Sequence, residues 1–261
     1  MIRALYTAAS GMKAQQTNLD ITSNNLANVN TTGFKQDRAV FEDLLYQTIR
    51  QPGAQTTTDN QLPSGLMIGT GVRTVATEKL HTQGNIIQTD NALDVAIDGR
   101  GFFQILMPDG DLAYTRDGTF QINADGDVVM SNGYLLDPGI NIPDDVQSIT
   151  VGVDGTVSVT QPGDNEPTVI GEIELADFVN PAGLQAVGEN LFKETGASGV
   201  PIAGTPTLDG FGRVIGGALE TSNVNVVTEL INMIETQRAY EMNSKAISTA
   251  DQMLQYASQN L

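Results

Sequence analysis

The sequence feature that most constrains the fold is an apolar residue at every seventh position near the C-terminus. The members of this row are Val226, Met233, Tyr240, Ile247, Leu254 and Leu261. The companion heptad row is mostly polar and consists of Leu230, Gln237, Ser244, Asp251 and Ser258. This pattern predicts an amphipathic helix with one narrow apolar seam. A helix from Val226 to the end would be about 54 Å long, and one seam of that length needs a partner helix.

The N-terminal stretch carries the matching row. Leu5, Met12, Leu19 and Leu26 also recur every seven residues, beside small or uncharged side chains. Two such rows predict a coiled-coil domain that joins the two chain ends. The alternative is a pair of ordinary amphipathic helices on a globular core, but those usually carry three apolar positions per heptad. Gly11 lies inside the first helix, where it costs about 1 kcal/mol relative to Ala, and it predicts close approach of a neighbouring backbone.

Composition excludes several kinds of site and of protein. The chain has 261 residues, is 40% hydrophobic and contains no Cys, which excludes disulfides, thiolate metal sites and thiol nucleophiles. No apolar run is long enough to cross a bilayer, so no direct membrane insertion is expected. The N-terminus lacks the pattern of a secretory signal. These features predict a cytoplasmic protein, or one exported without a cleaved signal peptide.

The net charge of −18 is concentrated in the middle of the chain. Residues 1–35 carry +2 and residues 223–261 carry −2, so residues 36–222 carry the entire −18. Neutral helices can pack densely against copies of themselves. An acidic middle repels anionic surfaces, so neither nucleic acid nor anionic lipid is an expected partner.

The middle of the chain is predicted to be β-rich. All ten prolines lie between Pro52 and Pro206, so only the two ends are free of them. Short β-prone runs in residues 92–160 alternate with turn dipeptides. These dipeptides are Asp98-Gly99, Asp109-Gly110, Asp117-Gly118, Asp125-Gly126, Asn132-Gly133 and Asp154-Gly155. Such spacing predicts hairpins of an antiparallel meander or small barrel, which gives an α+β fold class overall.

Two stretches are less regular. Gln47 to Pro63 is rich in Gln and Thr and almost uncharged, which predicts a loop or an extended arm, and the chain turns β-like from Leu66 to Lys79. In residues 161–222 we expect a strand over Glu172 to Phe178 and a loop with a short helix over Pro181 to Leu191. A Gly- and Pro-rich return then leads to the C-terminal helix, with several N-cap candidates before Val226.

No catalytic, cofactor or metal site is predicted. The single histidine, His81, has no Gly-x-Ser-x-Gly elbow to accompany it, and a surface or strand-end position is expected instead. The best approach to a calcium loop is Gln121, Asn123, Asp125 and Gly126, but Asn132 stands where a bidentate Glu is needed, and no helices are expected to flank the loop. Glycosidase carboxylates remain open in principle but stand in no motif. The Gly69-Thr70-Gly71 and Gly99-Arg100-Gly101 runs lack the context of a nucleotide site.

Four stretches resemble the flagellar basal-body rod and hook (axial) protein family. They are Asn24 to Lys35 (NNLANVNTTGFK), Val95 to Phe103 with Tyr114 to Gly118, Leu230 to Glu241 (LINMIETQRAYE), and Asp251 to Leu254. Tyr46 to Pro63 is similar to an extra segment of the distal-rod members, which hook proteins lack. The resemblance covers nearly the whole chain except about residues 161–219.

The resemblance implies an organisation in four parts. These are an N-terminal helix of the coiled-coil domain in 1–33, a connector or arm in 34–84 with the distal-rod-type segment in 46–63, a β-rich outer domain in 85–219, and the C-terminal helix in 220–261. The assembly seam is expected to consist of Leu5, Met12, Leu19, Leu26, Val226, Met233, Tyr240, Ile247 and Leu254. We expect the terminal helices to be disordered in a lone monomer, because a thin seam buries little apolar surface.

The function implied is that of a structural, non-enzymatic subunit of the distal rod. Many copies would form a rigid helical tube that transmits motor torque across the periplasm to the hook. The implied partners are further copies, proximal rod proteins, hook or hook-junction subunits, the periplasmic and outer-membrane bushing rings, and the flagellar type III export apparatus. The alternatives are a sister axial protein of the hook or proximal rod, or an acidic β-rich hydrolase or Ca²⁺-binding surface protein.

Overall fold

The structure, a computed structural model, describes residues 2–53, 55–57, 60–61, 63–163 and 166–259. Its internal contacts divide the chain into two units. The terminal unit comprises the residues up to Leu26, Asp37–Glu78 and the residues from Asn225; the β unit comprises Ala27–Gln36 and Lys79–Val224. The terminal helices and the β-rich middle confirm the predicted α+β class.

The two long helices lie at the ends of the chain, as predicted, and the second begins directly after an expected N-cap residue. The first, α1, spans Ile2–Ala27, and the second, α2, spans Val226–Gln259. Asn225 caps α2, because its side-chain oxygen accepts hydrogen bonds from the backbone N–H groups of Val227 and Thr228 at 3.0 and 3.2 Å. No described helix is both long and apolar enough to cross a membrane.

The connector contains paired strands where a loop or extended arm was expected. Strand β1 (Asp37–Asp43) pairs with β6 (Val72–Lys79), and β2 (Gln47–Arg50) pairs with β5 (Leu66–Ile68). A short ladder joins β3 (Gln55–Thr57) to β4 (Asn60–Gln61). Ala54, Thr58, Asp59 and Leu62 of the predicted arm lie outside the described residues. The β-like character expected from Leu66 to Lys79 is confirmed by β5 and β6.

Most of the remaining strands belong to the β unit. They are β7 Ile86–Gln88, β8 Val95–Asp98, β9 Phe102–Leu106, β10 Leu112–Thr115, β11 Phe120–Ile122, β12 Val128–Met130, β13 Leu135–Asp137, β14 Ser148–Val151, β15 Thr156–Thr160, β16 Thr168–Glu172, β17 Leu175–Asp177, β18 Gln185–Gly188, β19 Leu191–Lys193, β20 Ile202–Gly204, β21 Arg213–Gly216 and β22 Ala218–Glu220. A single 3₁₀ turn, Pro181–Gly183, is described between β17 and β18.

The strands of the β unit pair mainly in antiparallel fashion, as the turn dipeptides predict. The main sheet has the order β11-β12-β13-β9-β10-β19-β18, and β17 pairs with both β9 and β20. Strands β14, β15 and β16 form a second sheet, while β8 pairs with β21 and β7 with β22. The Asp109-Gly110, Asp125-Gly126, Asn132-Gly133 and Asp154-Gly155 dipeptides connect successive strands. The β8–β21 and β7–β22 ladders join residues more than a hundred positions apart, and no local sequence signal indicates such pairing.

The β unit has an apolar core of its own. Phe103, Ile105, Phe120 and Leu175 are buried at its centre. A second cluster gathers aromatic side chains, namely Phe102, Tyr114, Phe178 and Phe192. Their rings meet edge to face at centroid distances of 4.8–6.2 Å. This unit therefore contains the closely packed interior on which a stable fold depends.

Candidate assembly surfaces and a buried ionic cluster

The predicted seam residues all lie on α1 and α2, within the terminal unit. Leu5, Met12, Leu19, Leu26, Met233, Ile247 and Leu254 are half-buried there. Val226 and Tyr240 are exposed, with 39% and 45% of their surface accessible. Each of these apolar side chains therefore keeps accessible surface in the single chain.

Sequence reasoning missed a second apolar patch at the start of α2. Val227, Leu230, Ile231 and Ile234 are all exposed, and they follow each other at the three- and four-residue spacing of one helix face. A heptad count starting from Val226 passes over Val227, Ile231 and Ile234, and it places Leu230 in the mostly polar companion row. We call these four residues the α2 patch. Exposed apolar side chains grouped in this way indicate a surface that another molecule covers.

Polar and small residues make the described contacts between α1 and α2. Asn18 donates a hydrogen bond through Nδ2 to Thr236 Oγ1 at 3.0 Å, and Asn25 Nδ2 lies 3.4 Å from Glu229 Oε2. A methyl group added at Gly11 would lie 3.1 Å from the Asn243 side chain. The close neighbour that we expected at Gly11 is thus a side chain of α2 and not a backbone. We call these six residues the polar row; it runs beside the predicted apolar seam.

The connector hairpin carries apolar side chains that its own chain does not bury. Leu45 is 90% exposed, and Tyr46, Ile49, Leu66 and Met67 are also exposed. Ile49 lies on β2, and Leu66 and Met67 lie on β5, so both strands of the hairpin present apolar groups. A two-stranded ribbon with solvent on both faces is marginally stable by itself. This hairpin is accordingly a second candidate contact surface.

A buried cluster of three charged side chains lies in the β unit. Lys35 Nζ donates to Glu220 Oε1 at 2.7 Å and to the carbonyl oxygen of Thr82 at 2.8 Å. The same carboxylate oxygen accepts the Gly84 N–H at 2.7 Å, and Arg116 Nη1 lies 3.4 Å from Glu220 Oε2. Burial lowers the pKa of Lys35, and the carboxylate of Glu220 opposes that shift. Since Lys35 and Glu220 have no accessible side-chain surface, each depends on the other for its charge balance.

Arg116 extends this ionic cluster into the strand β8 region. Its Nη2 donates to the carbonyl oxygen of Gly99 at 2.7 Å, and its guanidinium lies 5.3 Å from the centre of the Phe102 ring. Burial also lowers the pKa of Arg116, again opposed by Glu220. One carboxylate thus faces two buried cations.

Backbone contacts hold the segment after α1 against the segment before α2. The Gly33 N–H donates to the carbonyl oxygen of Glu220 at 2.9 Å. Asn223 accepts the Gln36 N–H at 2.8 Å and donates to the carbonyl oxygen of Leu80 at 2.8 Å. Gly33 has a φ of +67°, and a Cβ there would lie 2.6 Å from the Asp117 nitrogen. The Asn/Thr/Gly run after α1 is therefore a tightly fitted part of the β unit.

His81 lies beside the ionic cluster, half-buried and not on the surface. Its ring meets those of Phe102 and Phe192 edge to face at 5.5 and 5.4 Å. Burial, together with the nearby Lys35 and Arg116, lowers its pKa to about 4. Its Nδ1 atom has no hydrogen-bond partner among the described residues. The imidazole is therefore a neutral group that packs against aromatic rings.

The ionic cluster was not predicted as a unit, although two of its three members stood in the quoted motifs. Lys35 closes the Asn24–Lys35 motif, Arg116 lies within Tyr114–Gly118, and Glu220 precedes α2. Charged residues inside otherwise apolar or turn-forming motifs were the available signal. Their pairing across 185 residues could not be read from spacing.

Three stretches of the chain match known protein families. Residues 5–35 match the family described as flagella basal body rod protein, residues 96–159 the flagellar hook protein FlgE/F/G D1 domain, and residues 215–260 the flagellar basal body rod FlgEFG protein C-terminal family. These three matches fall on the terminal helices and the central β strands.

Full-length relatives agree with these matches. The flagellar basal-body rod protein FlgG of Buchnera aphidicola subsp. Acyrthosiphon pisum is 55% identical over 99% of this chain and 100% of its own length. The protein of the same name from Caulobacter vibrioides is 49% identical over 99% of each chain, and that from Bacillus subtilis is 40% identical over 98% of this chain and 97% of its own. The chain therefore belongs to the flagellar basal-body rod protein family, as a structural axial subunit.

Proposed function

We propose that the chain is a subunit of the flagellar distal rod that assembles with its own copies into a rigid helical tube. The tube would cross the periplasm and pass motor torque to the hook. Full-length similarity to proteins named as basal-body rod proteins supports this. The presence of the Tyr46–Pro63 segment, which resembles an insertion of distal-rod members, favours the distal rod over a hook or proximal-rod subunit.

The observation that carries the proposal is the distribution of exposed apolar side chains. The β unit has a buried apolar core around Phe103, although side chains such as Val200 stay exposed. Among the described residues of the terminal unit no large apolar side chain is fully buried, and Val227, Ile231 and Leu45 are exposed. Surfaces of this kind on an otherwise acidic chain suit contact with further copies. A contact between two different patches of one protein repeats without closing and generates a helical polymer.

Each region then has a role in assembly. The nine seam residues and the α2 patch hold the helices of adjacent copies together in a coiled-coil layer. The Tyr46–Pro63 arm, which forms part of the connector hairpin, reaches a neighbouring copy and stiffens the tube. The acidic β unit faces outward towards the surrounding bushing rings, while the ends of the tube meet proximal rod and hook or hook-junction subunits. The chain reaches this site through the flagellar export apparatus.

The alternative of a Ca²⁺-binding protein or hydrolase has less support. Among the described residues, no group of three or more His, Cys, Asp or Glu side chains could hold a metal ion. Asn123, which belongs to the loop considered, uses its side-chain oxygen to accept the N–H groups of Asp125 and Asp127 at 2.9 and 2.8 Å. That arrangement is a hydrogen-bonded turn, and the family is one of structural rod proteins.

The experiment that tests assembly compares Leu254→Asp with Ser248→Asp. Both substitutions add one negative charge to α2, but Leu254 belongs to the predicted seam, whereas Ser248 is exposed. Purified chains are induced to polymerise and then sedimented. We expect Leu254→Asp to abolish polymerisation, because it places a charge in an apolar contact, and Ser248→Asp to sediment like the parent chain. Polymers of normal yield from Leu254→Asp would refute the seam.

A further inference from the structure

The contacts between α1 and α2 repeat at a constant interval on both helices. Along α1 the polar row steps from Asn25 to Asn18 to Gly11, and along α2 from Glu229 to Thr236 to Asn243. Each step is seven residues, backwards on α1 and forwards on α2. The two helices are therefore antiparallel in one register, with the same alignment at every described contact.

The side chains that define this register are polar and buried. Asn25, Glu229 and Thr236 are 1%, 2% and 4% exposed, respectively. A slip of one heptad would place Asn25 opposite Thr236 and would leave the Glu229 carboxylate buried without the Asn25 amide. Buried polar groups that lose their partners are costly, whereas apolar side chains tolerate many alignments. A polar pair at a helix contact thus discriminates between registers.

Asn25 also ties this register to the connector. Its Oδ1 accepts the Asp37 N–H at 2.9 Å, while its Nδ2 donates to the Asp37 carbonyl oxygen at 2.8 Å. The amide therefore pairs with the backbone at the first residue of β1 and with Glu229 of α2. On α2, Glu229 Oε1 lies 3.4 Å from Asn232 Nδ2. Asn25 is thus held by the backbone of Asp37, and Glu229 is held by Asn232.

We propose that the polar row is the register-setting surface between the two terminal helices, and that the apolar seam and the α2 patch are left for contacts with second copies of the chain. Only the part that concerns contacts with second copies rests on the proposed assembly function. Contacts within the chain fix the alignment, and contacts between chains supply the apolar burial. Specificity and cohesion thereby fall on different faces of the same helices.

Cysteine pairs test the register, because the chain contains no Cys of its own. Gln15→Cys with Ala239→Cys reports the observed register: both residues line one groove beside the polar row and belong to no described polar pair. Gln15→Cys with Ala246→Cys, and Gln15→Cys with Asn232→Cys, report slips of one heptad. One heptad displaces a residue by about 10 Å along the helix, which is too far for a disulfide. After oxidation, the in-register pair is expected to dominate by at least roughly ten-fold.

The reporter pairs are then placed in a chain carrying Asn18→Leu, Asn25→Leu, Glu229→Leu and Thr236→Val. Off-register disulfides are expected to rise to yields similar to the in-register one, because the remaining contacts tolerate slippage. The control chain carries Ser244→Val and Ser248→Val at exposed positions of α2 and should keep the parent pattern. A row-substituted chain that keeps a single register would overturn the proposal.

Assembly is read separately from register. Sedimentation of the reduced protein reports whether polymers form, and both soluble and sedimented fractions are oxidised for the disulfide pattern. Loss of sedimentation in the unsubstituted chain would refute assembly alone. Equal yields of in-register and off-register disulfides in the otherwise unsubstituted chain would refute the register-setting role, whether or not it sediments and whether or not the row-substituted chain folds.

Discussion

The two units of this chain are stabilised in opposite ways. In the β unit, apolar side chains such as Phe103 and Ile105 are buried, and so is the ionic cluster around Glu220. In the terminal unit, Asn25, Thr236 and Glu229 are buried between the helices, while Val227 and Ile231 face outward. The β unit has an interior sufficient for a stable fold. The terminal unit leaves apolar surface exposed, and the proposed assembly would stabilise this unit if it covers that surface.

The largest effect that would break this contrast is expected from the ionic cluster. Glu220→Leu removes the carboxylate that faces Lys35 and Arg116, which leaves two buried cations close together. We expect the free energy of unfolding of the β unit to fall by about 5 kcal/mol, measured by urea denaturation of the full chain. Glu174→Gln, at an exposed position of the same unit, is the control and should change it by less than about 0.5 kcal/mol. Equal stability of the two variants would show that the cluster is dispensable.

A slightly smaller loss is expected from the apolar core. Phe103 is fully buried and packs edge to face on Phe120 at 5.3 Å. Phe103→Ala should lower the free energy of unfolding by about 4 kcal/mol through lost burial and a residual cavity. Val200→Ala, at a residue that is 80% exposed, serves as the matched change on the surface. A loss of less than about 1 kcal/mol for Phe103→Ala would mean that the core is not the principal support of the β unit.

Acid sharpens the comparison, because the only histidine lies in the β unit. The pKa of His81 is about 4 in the fold against 6.5 in an unfolded chain, so between these values the unfolded chain binds more protons. The part of the free energy of unfolding that depends on neutral His81 is therefore fully present above pH 6.5. It is lost as the pH falls towards 4, and the loss is at most about 3 kcal/mol. Urea denaturation at pH 6.5, 5.5 and 4.5 measures the slope.

His81→Gln supplies the control for this titration, because it removes the titrating group and should flatten the slope over this range. Hydrogen bonds lower the pKa values of Asp98 and Asp154, whose contributions are lost only below about pH 4. A slope unchanged in His81→Gln would assign the acid sensitivity to other groups.

The smallest effect on folding is expected from the connector hairpin. Deletion of Tyr46–Pro63 removes strands that pair only with β5 or with each other, and it touches none of the β-unit strands. The free energy of unfolding of the β unit should change by less than about 0.5 kcal/mol, while polymers become softer or misassembled by electron microscopy. Hydrogen exchange on the peptides of residues 95–177 provides the direct check. Faster exchange there would make the hairpin part of the β-unit core.

Local patterns predicted those elements that depend on neighbouring residues. The heptad rows predicted both helices, and the N-cap signal fixed the start of α2 after Asn225. The turn dipeptides predicted the hairpins around β9 to β13, because each hairpin depends on residues that are close in the sequence. Ladders such as β8 with β21 were beyond reach, because Val95 and Gly216 meet only in the finished fold.

Candidate surfaces were predicted less completely than elements. The period of seven was read correctly, but the described helix contacts fall on Asn18 and Asn25, next to Leu19 and Leu26. Apolar rows attract attention in a sequence, whereas amides and hydroxyls reveal a role only once their partners are known. The seam, which was expected to join the two terminal helices in a coiled coil, stays a prediction.

The discontinuity of the two units sets an order of events for a chain that emerges from a narrow exit with its N-terminus first. The β unit is complete once Val224 has emerged, when Glu220 can reach Lys35. The terminal unit still lacks α2 at that moment, so its polar row cannot form. Of the apolar helix surface, the half on α2 is the last part of the chain to be made available. A contact that needs α2 can therefore form only after the β unit is complete.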